Sequence, residues 1–233
     1  MVAAVGDRSG PRVDAVAAVG LTAPAAAAFN PAGSDFWVDS SMGPTKTRIF
    51  RAADGNTRRI VCALDGLRAR NDLSGWEIDT EISQVLPRWN INVVMPVGGQ
   101  SSFYSDWIAP SNTNGQQRAY TWETFLTQNL RWALRDRLGF NPYGNGVFGL
   151  SMGGSAALAL AAYHPDQFRY AGSYSGYLNI SAPGMREGLR LALLDSLAST
   201  NAVFDCPAVG THNWPYWTDQ VFKMLPDLSA NLG

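Results

Sequence analysis

Five residues, Gly149-Leu150-Ser151-Met152-Gly153, constrain this chain more than any other stretch. They fit G-x-S-x-G and lie directly between a strand-like run, Val147-Phe148, and a Pro-free, Ala/Leu-rich run from Met152 to Tyr163. That context predicts a sharp strand-to-helix turn that lifts a serine hydroxyl over the edge of a sheet. Glycines two before and two after Ser151 keep side chains from colliding in so tight a turn. The competing interpretation is a Gly-rich strand–helix connection in a non-catalytic α/β domain.

The rest of the chain supplies a sheet for that turn. Residues 36–50 read as short strands around a Gly43-Pro44 turn. Arg59 to Leu64 and Ile91 to Pro96 are compact apolar runs ended by Asp65-Gly66 and Gly98-Gly99, the pattern of buried parallel strands. A polar, aromatic loop from Gln100 to Gln117 follows. Thr121 then offers an N-cap, with Glu123 in the first turn, for a helix to about Leu138. Gly144 to Leu150 leads into the turn, and His164-Pro165 stops the helix that leaves it. Beyond lie a strand at Tyr170–Tyr177, a helix near Met185–Ala198 and a short strand at Ala202–Phe204. A closing helix is capped by Asn213, with Pro215 in its first turn. Alternating strands and helices predict a three-layer α/β sandwich with a mainly parallel sheet and its chemistry at the carboxyl ends of the strands.

Length and charge set outer bounds. A 233-residue chain with 46% hydrophobic and 16% charged residues is one domain by prior, with enough chain for a full core. A formal net charge of −1 gives no electrostatic case for nucleic acid. Residues 1–28 differ in kind: Arg8 and Arg12 precede an apolar stretch from Val13 to Leu21, and Ala26 and Ala28 match a small-residue cleavage site before Phe29. This segment is either an export peptide or a disordered leader, and residues 29–233 form the single domain. No stretch is apolar enough for long enough to span a membrane. In an exported protein Cys62 and Cys206 form either one disulfide or two separate buried thiols.

A serine needs a base, and the sequence holds two histidines. His164 closes the twelve-residue helix after Ser151 and so lies roughly 18 Å away, as a C-terminal cap. His212 follows the last strand, where an α/β-hydrolase keeps its base, and the order Ser then His fits that fold. The oxyanion formed in acyl transfer needs backbone donors. Met152, after the nucleophile, supplies one, and Leu67, in the Asp65-Gly66-Leu67-Arg68 loop, the other.

Longer words then carry a resemblance. Leu64 to Ala69, Ser74-Gly75-Trp76, Val94 to Trp107, Trp122 to Leu126, Gly149 to Met152, Tyr163-His164-Pro165 and Gly210 to Trp214 are collinear with the antigen 85 mycolyltransferases, which this chain resembles. The resemblance implies an exported serine acyltransferase of the cell envelope that needs no cofactor or metal. Its reaction passes through an acyl-enzyme, moving mycolyl groups between trehalose esters or onto arabinogalactan. It implies Ser151 as nucleophile, His212 as base, Leu67 and Met152 as oxyanion donors, and Asp65, Leu67, Arg68, Asn179, Asn213 and Trp214 as substrate contacts. Asn179 stands where the family has an aspartate.

One piece is missing. Between Gly176 and Asn201 only 24 residues remain, enough for one crossover helix but not for the further strand and helix of the family. The family's catalytic glutamate follows that strand, and its segment has no counterpart here. The sheet is therefore expected to be one strand short near its C-terminal end. No acid takes the glutamate's place without rearrangement: Asp166 is at the wrong end of a helix, Asp205 is kept by the family alongside the glutamate, and Glu187 and Asp195 sit on a helix that would have to be re-aimed. Two alternatives to a transferase stay open: a secreted carboxylesterase using water, and a non-catalytic glycolipid- or matrix-binding envelope protein.

Overall fold

A computed structural model describes residues 29–111, 116–178, 183–184 and 214–232. Six strands form one mixed sheet in the order β1-β2-β4-β3-β5-β6. They are β1 (Ser34–Val38), β2 (Thr45–Phe50), β3 (Ile60–Leu64), β4 (Asn92–Pro96), β5 (Asn145–Leu150) and β6 (Phe168–Tyr174). β1, β2 and β4 pair antiparallel in turn, and β4, β3, β5 and β6 are parallel. The two apolar runs and the strand into Ser151 thus become the centre of the sheet, as their unbroken hydrophobicity requires of strands covered on both faces.

Period-two alternation sends successive β3 side chains to opposite sides. Ile60, Cys62 and Leu64 join one cluster, with the Trp122–Leu134 region and the helix after Ser151. Val61 and Ala63 join the other, with Trp76, Ile82, Leu86 and the closing helix. The helices of the first layer are α3 (Trp122–Thr124), α4 (Arg131–Leu138) and α5 (Met152–Tyr163). The second layer holds α1 (Gly75–Ile78), α2 (Ile82–Arg88) and α6 (Trp214–Asn231). The predicted three layers are present. No described helix is long and apolar enough to cross a membrane.

Several local expectations change. The helix from Thr121 to Leu138 is interrupted by a π-helical stretch, Phe125–Leu130. Thr121 makes no side-chain cap. The caps come instead from Asp106, whose Oδ1 accepts from the Thr124 N–H at 3.0 Å and whose Oδ2 accepts from the Thr124 hydroxyl at 2.6 Å. A cap donated from eighteen residues away leaves no local signal. The strand expected at Tyr170–Tyr177 begins and ends earlier, at Phe168 and Tyr174, because Ser175 turns into the left-handed region at φ 53°.

Helices α1 and α2 have no counterpart in the sequence expectations. A signal existed for α1: Ser74-Gly75-Trp76-Glu77 has the capping-box spacing. Ser74 Oγ does accept from the Trp76 N–H at 3.2 Å, but Glu77 serves elsewhere. Its carboxylate accepts from Arg48 Nε and Nη2, each at 2.9 Å, and from the Asn30 N–H at 3.1 Å. Arg48 also donates to the Asn30 and Gly33 carbonyls, tying the first described residues to the sheet and α1. The leader, Cys206 and the elements expected at Met185–Ala198 and Ala202–Phe204 lie outside the described residues, as does Asn213. Cys62 is buried in β3 and has no disulfide partner among the described residues.

Candidate active site

Ser151 closes β5 and opens α5 with φ 51° and ψ −117°. A non-glycine residue there is strained, and such strain persists only where the surroundings over-determine it. The surroundings do so through backbone contact. A Cβ on Gly149 would lie 2.4 Å from the Gly153 carbonyl, and one on Gly153 would lie 2.5 Å from the Asp65 carbonyl oxygen and 2.6 Å from that of Leu64. The two motif glycines are therefore where α5 touches β5 and the end of β3. The Ser151 N–H donates to the Tyr174 carbonyl at 2.7 Å, which fixes the turn from the other side.

The loop after β3 comes to this turn. A Cβ on Gly66 would lie 3.7 Å from Ser151 Cβ and 2.5 Å from Leu150 Cδ1, so any larger residue there would have to displace the Leu150 side chain. The peptide N–H groups of Leu67 and Met152 have no acceptor among the described residues. Met152 is the first residue of α5, where such a donor is free by construction. Two unspent donors thus flank a strained serine at the carboxyl ends of β3 and β5. That arrangement suits stabilising negative charge on an oxygen bonded to a carbon that Ser151 Oγ attacks.

Asp65 is 2% exposed. Its carboxylate accepts from Ser74 Oγ and from the Gly75 N–H, both at 3.1 Å, at the start of α1. Burial pushes its pKa up to about 7, against the pull of those bonds, and the like charge of Asp79 adds to the rise. Trp214 opens α6 edge-on to Trp76, at 5.3 Å between ring centres. A Cβ on Gly75 would lie 2.3 Å from the Trp214 ring and 3.4 Å from Asp65 Oδ1. Ser151, Met152, Asp65, Leu67 and Trp214 are thereby gathered at one end of the sheet, with Arg68 exposed in the same loop.

His164 sits at the far end of α5. Its N–H donates to the Leu160 carbonyl at 2.8 Å, and its Nε2 lies 2.9 Å from Glu123 Oε1. It is the helix-closing residue that its position in the sequence predicts. Asp166, beside it, is bonded to Arg131 Nη2 at 3.1 Å. His212, Asn179 and Asn213 lie outside the described residues, as do Glu187, Asp195 and Asp205. What sequence reasoning missed is the contribution of residues 98–104 to the site, since in the sequence they read only as a strand end, the start of a loop and part of a longer word. Ser101, Ser102 and Tyr104 are buried there against the site loop.

Comparison with known proteins bears on this geometry. The Esterase family model matches residues 44–201. The chain is 32% identical over 309 residues to the diacylglycerol acyltransferase/mycolyltransferase Ag85C of Mycobacterium avium, covering 95% of this chain and 88% of that one. It is 36% identical over 268 residues to Ag85A of Mycobacterium leprae, with 83% and 81% covered. Among solved structures it resembles Mycobacterium tuberculosis MPT51 (TM-score 0.69, 23% identity, 86% and 99% covered). It also resembles an S-formylglutathione hydrolase of Agrobacterium tumefaciens (TM-score 0.61, 14% identity, 87% and 96% covered). At those identities the two structures speak to the α/β-hydrolase fold alone. The chain belongs to the Esterase family and, within it, to the antigen 85 group of acyltransferases.

Proposed function

We propose that this protein is a serine acyltransferase of the mycolyltransferase type, acting through an acyl-Ser151 intermediate. The observation that carries the proposal is Ser151 held at φ 51° beside two unspent peptide donors. In the proposed reaction Ser151 Oγ attacks the ester carbonyl of a trehalose mycolate while His212 takes its proton. The carbonyl π electrons move to the oxygen, which the Leu67 and Met152 N–H groups stabilise. The C–O bond to the sugar then breaks, and the departing alkoxide takes the proton from His212. A hydroxyl of a second trehalose ester, or of cell-wall arabinogalactan, attacks the acyl-enzyme by the same steps in reverse. Asp65, Arg68, Asn179, Asn213 and Trp214 line the proposed sugar site. Export to the cell envelope is part of the proposal and rests on residues 1–28.

The acid that would orient His212 is proposed to be absent. The alignment to the Mycobacterium avium relative spans 309 residues although this chain has 233, which supports an internal segment present there and missing here. Loss of the acid from a serine triad lowers kcat by about 10⁴ while leaving residual catalysis. Slow turnover with intact Ser151 reactivity is therefore expected. Labelling by a fluorophosphonate that disappears in Ser151→Ala supports the acyl-enzyme. Adding trehalose and finding diester product supports transfer, whereas free acid alone makes the protein a carboxylesterase. Glycolipid binding with no labelling of Ser151 would leave a non-catalytic binding protein and end the proposal.

A further inference from the structure

The segment between β4 and α3 holds the site loop from behind. Gly98 and Gly99 have φ of 100° and 85°, and Ser101, Phe103 and Tyr104 follow at 56°, 51° and 49°. Three non-glycine residues within four positions in the left-handed region are a concentration of backbone strain. The strained stretch is not on the surface: Ser101, Ser102 and Tyr104 are each at most 2% exposed. It is braced internally by the Tyr104 N–H donating to Ser102 Oγ at 3.0 Å and by Trp107 Nε1 donating to the Ser102 carbonyl at 3.1 Å.

Its outward contacts converge on the peptides around Leu67. The Tyr104 hydroxyl accepts from the Asp65 N–H at 3.0 Å. The Ser101 N–H donates to the Leu67 carbonyl at 2.9 Å. Between these two pinned peptides lies the Gly66–Leu67 peptide, whose carbonyl accepts from the Ala69 N–H at 3.1 Å. Within this run the Asp65 N–H, the Gly66 carbonyl and the Leu67 carbonyl are thus tied, whereas the Leu67 N–H has no acceptor among the described residues. On the other side the Phe103 N–H meets Met152 Sδ at 3.1 Å. One strap thus touches both residues that carry the unspent donors.

We infer that Tyr104 is a positioning residue for the oxyanion donors: its hydroxyl, with the Ser101 N–H, holds the Asp65–Leu67 run so that the Leu67 N–H faces the oxygen that becomes negative. The inference rests on the acyl-enzyme chemistry proposed above. The strain at Ser101, Phe103 and Tyr104 is the condition for reaching that geometry, since an extended chain would turn those groups elsewhere.

Tyr104→Phe removes only the hydroxyl. With a p-nitrophenyl ester, kcat is expected to fall about 10- to 100-fold, because a donor displaced by a fraction of an ångström loses most of its value in the transition state. KM should stay within about twofold, and affinity for phenylboronic acid, which mimics the tetrahedral oxyanion on Ser151, should fall in step with kcat/KM. Ser102→Ala, which keeps the phenol but frees the Tyr104 N–H, should give a smaller change of the same pattern and remains measurable if Tyr104→Phe does not fold. Unchanged kcat and boronate affinity in a folded Tyr104→Phe protein would overturn the inference, as would losses in both variants that only follow the unfolded fraction. If wild-type Ser151 is not labelled by a fluorophosphonate, the acyl-enzyme proposal fails instead.

Discussion

Two carboxylates in this protein, twelve positions apart, are almost wholly buried, and they are treated in opposite ways. Glu77, 0% exposed, is met by the Arg48 guanidinium and by a peptide N–H. Asp65, 2% exposed, is met among the described residues by a hydroxyl and by peptide N–H groups and makes no ion pair there, and its pKa is driven up to about 7. A buried charge with a cation is a structural joint, whereas one without is a tension. Around Glu77 the chain resolves its polar groups: Arg48 bonds to Glu77, Asp35 and two carbonyls. Around Asp65 it leaves them unresolved, with a strained serine, two unspent donors and a strap of left-handed residues. Departures of this kind are what a functional site requires and what the remainder of the fold must support.

The comparison can be broken at each end. The largest effect on turnover is expected at Ser151→Gly, which removes the nucleophile and relieves the positive φ together. With the acid already absent, as proposed, ester turnover should fall by about a further 10²-fold, while stability rises by about 1 kcal/mol, a gain of roughly 2–4 °C in Tm. A lower Tm would mean that Ser151 is not strained. Glu77→Gln should do the reverse. Leaving the buried Arg48 with only the half-exposed Asp35 as counter-charge is expected to remove about 3 kcal/mol by chemical denaturation, with turnover of the folded fraction unchanged.

Asp65→Asn sharpens the contrast through pH. The folded-state pKa of Asp65 lies above its usual 3.8, so the folded protein holds that proton more tightly than the unfolded chain. Stability contributed by this group is therefore full below about pH 4 and is lost as pH rises through about 7. Asp65→Asn should flatten that slope and exceed the wild type by about 4 kcal/mol above pH 7. A wild-type slope that survives the substitution would assign the titration to another group. The smallest effect is expected at His164→Gln, where a half-exposed pair with Glu123 is worth about 0.5 kcal/mol. Its turnover should match the wild type, and a loss of orders of magnitude would make His164 the base.

Much of this was legible before the fold. The elbow reads from Gly149, Ser151 and Gly153 because its requirement is local: a turn this tight excludes Cβ atoms at fixed positions. The central strands read from unbroken apolar runs, and His164 was placed at a helix end by counting residues. Other features have causes far away in sequence. Asp106 caps a helix across eighteen residues, and Glu77 leaves its capping box to meet Arg48 twenty-nine residues back. The 98–104 segment carries two glycines that announce a turn, but nothing local explains left-handed Ser101, Phe103 and Tyr104.

The sequence by itself determined that a serine is presented between a strand and a helix, that parallel strands surround it, and which family's words it is written in. Only the tertiary structure decided that Asp65 would be buried with no ion pair among the described residues, that Gly66 would close on Ser151, and that Tyr104 would reach behind Leu67. Periodicity and turn chemistry are set by neighbours along the chain. Desolvation, close approach and the direction of a peptide N–H are set by neighbours in space, and those belong to the packed fold.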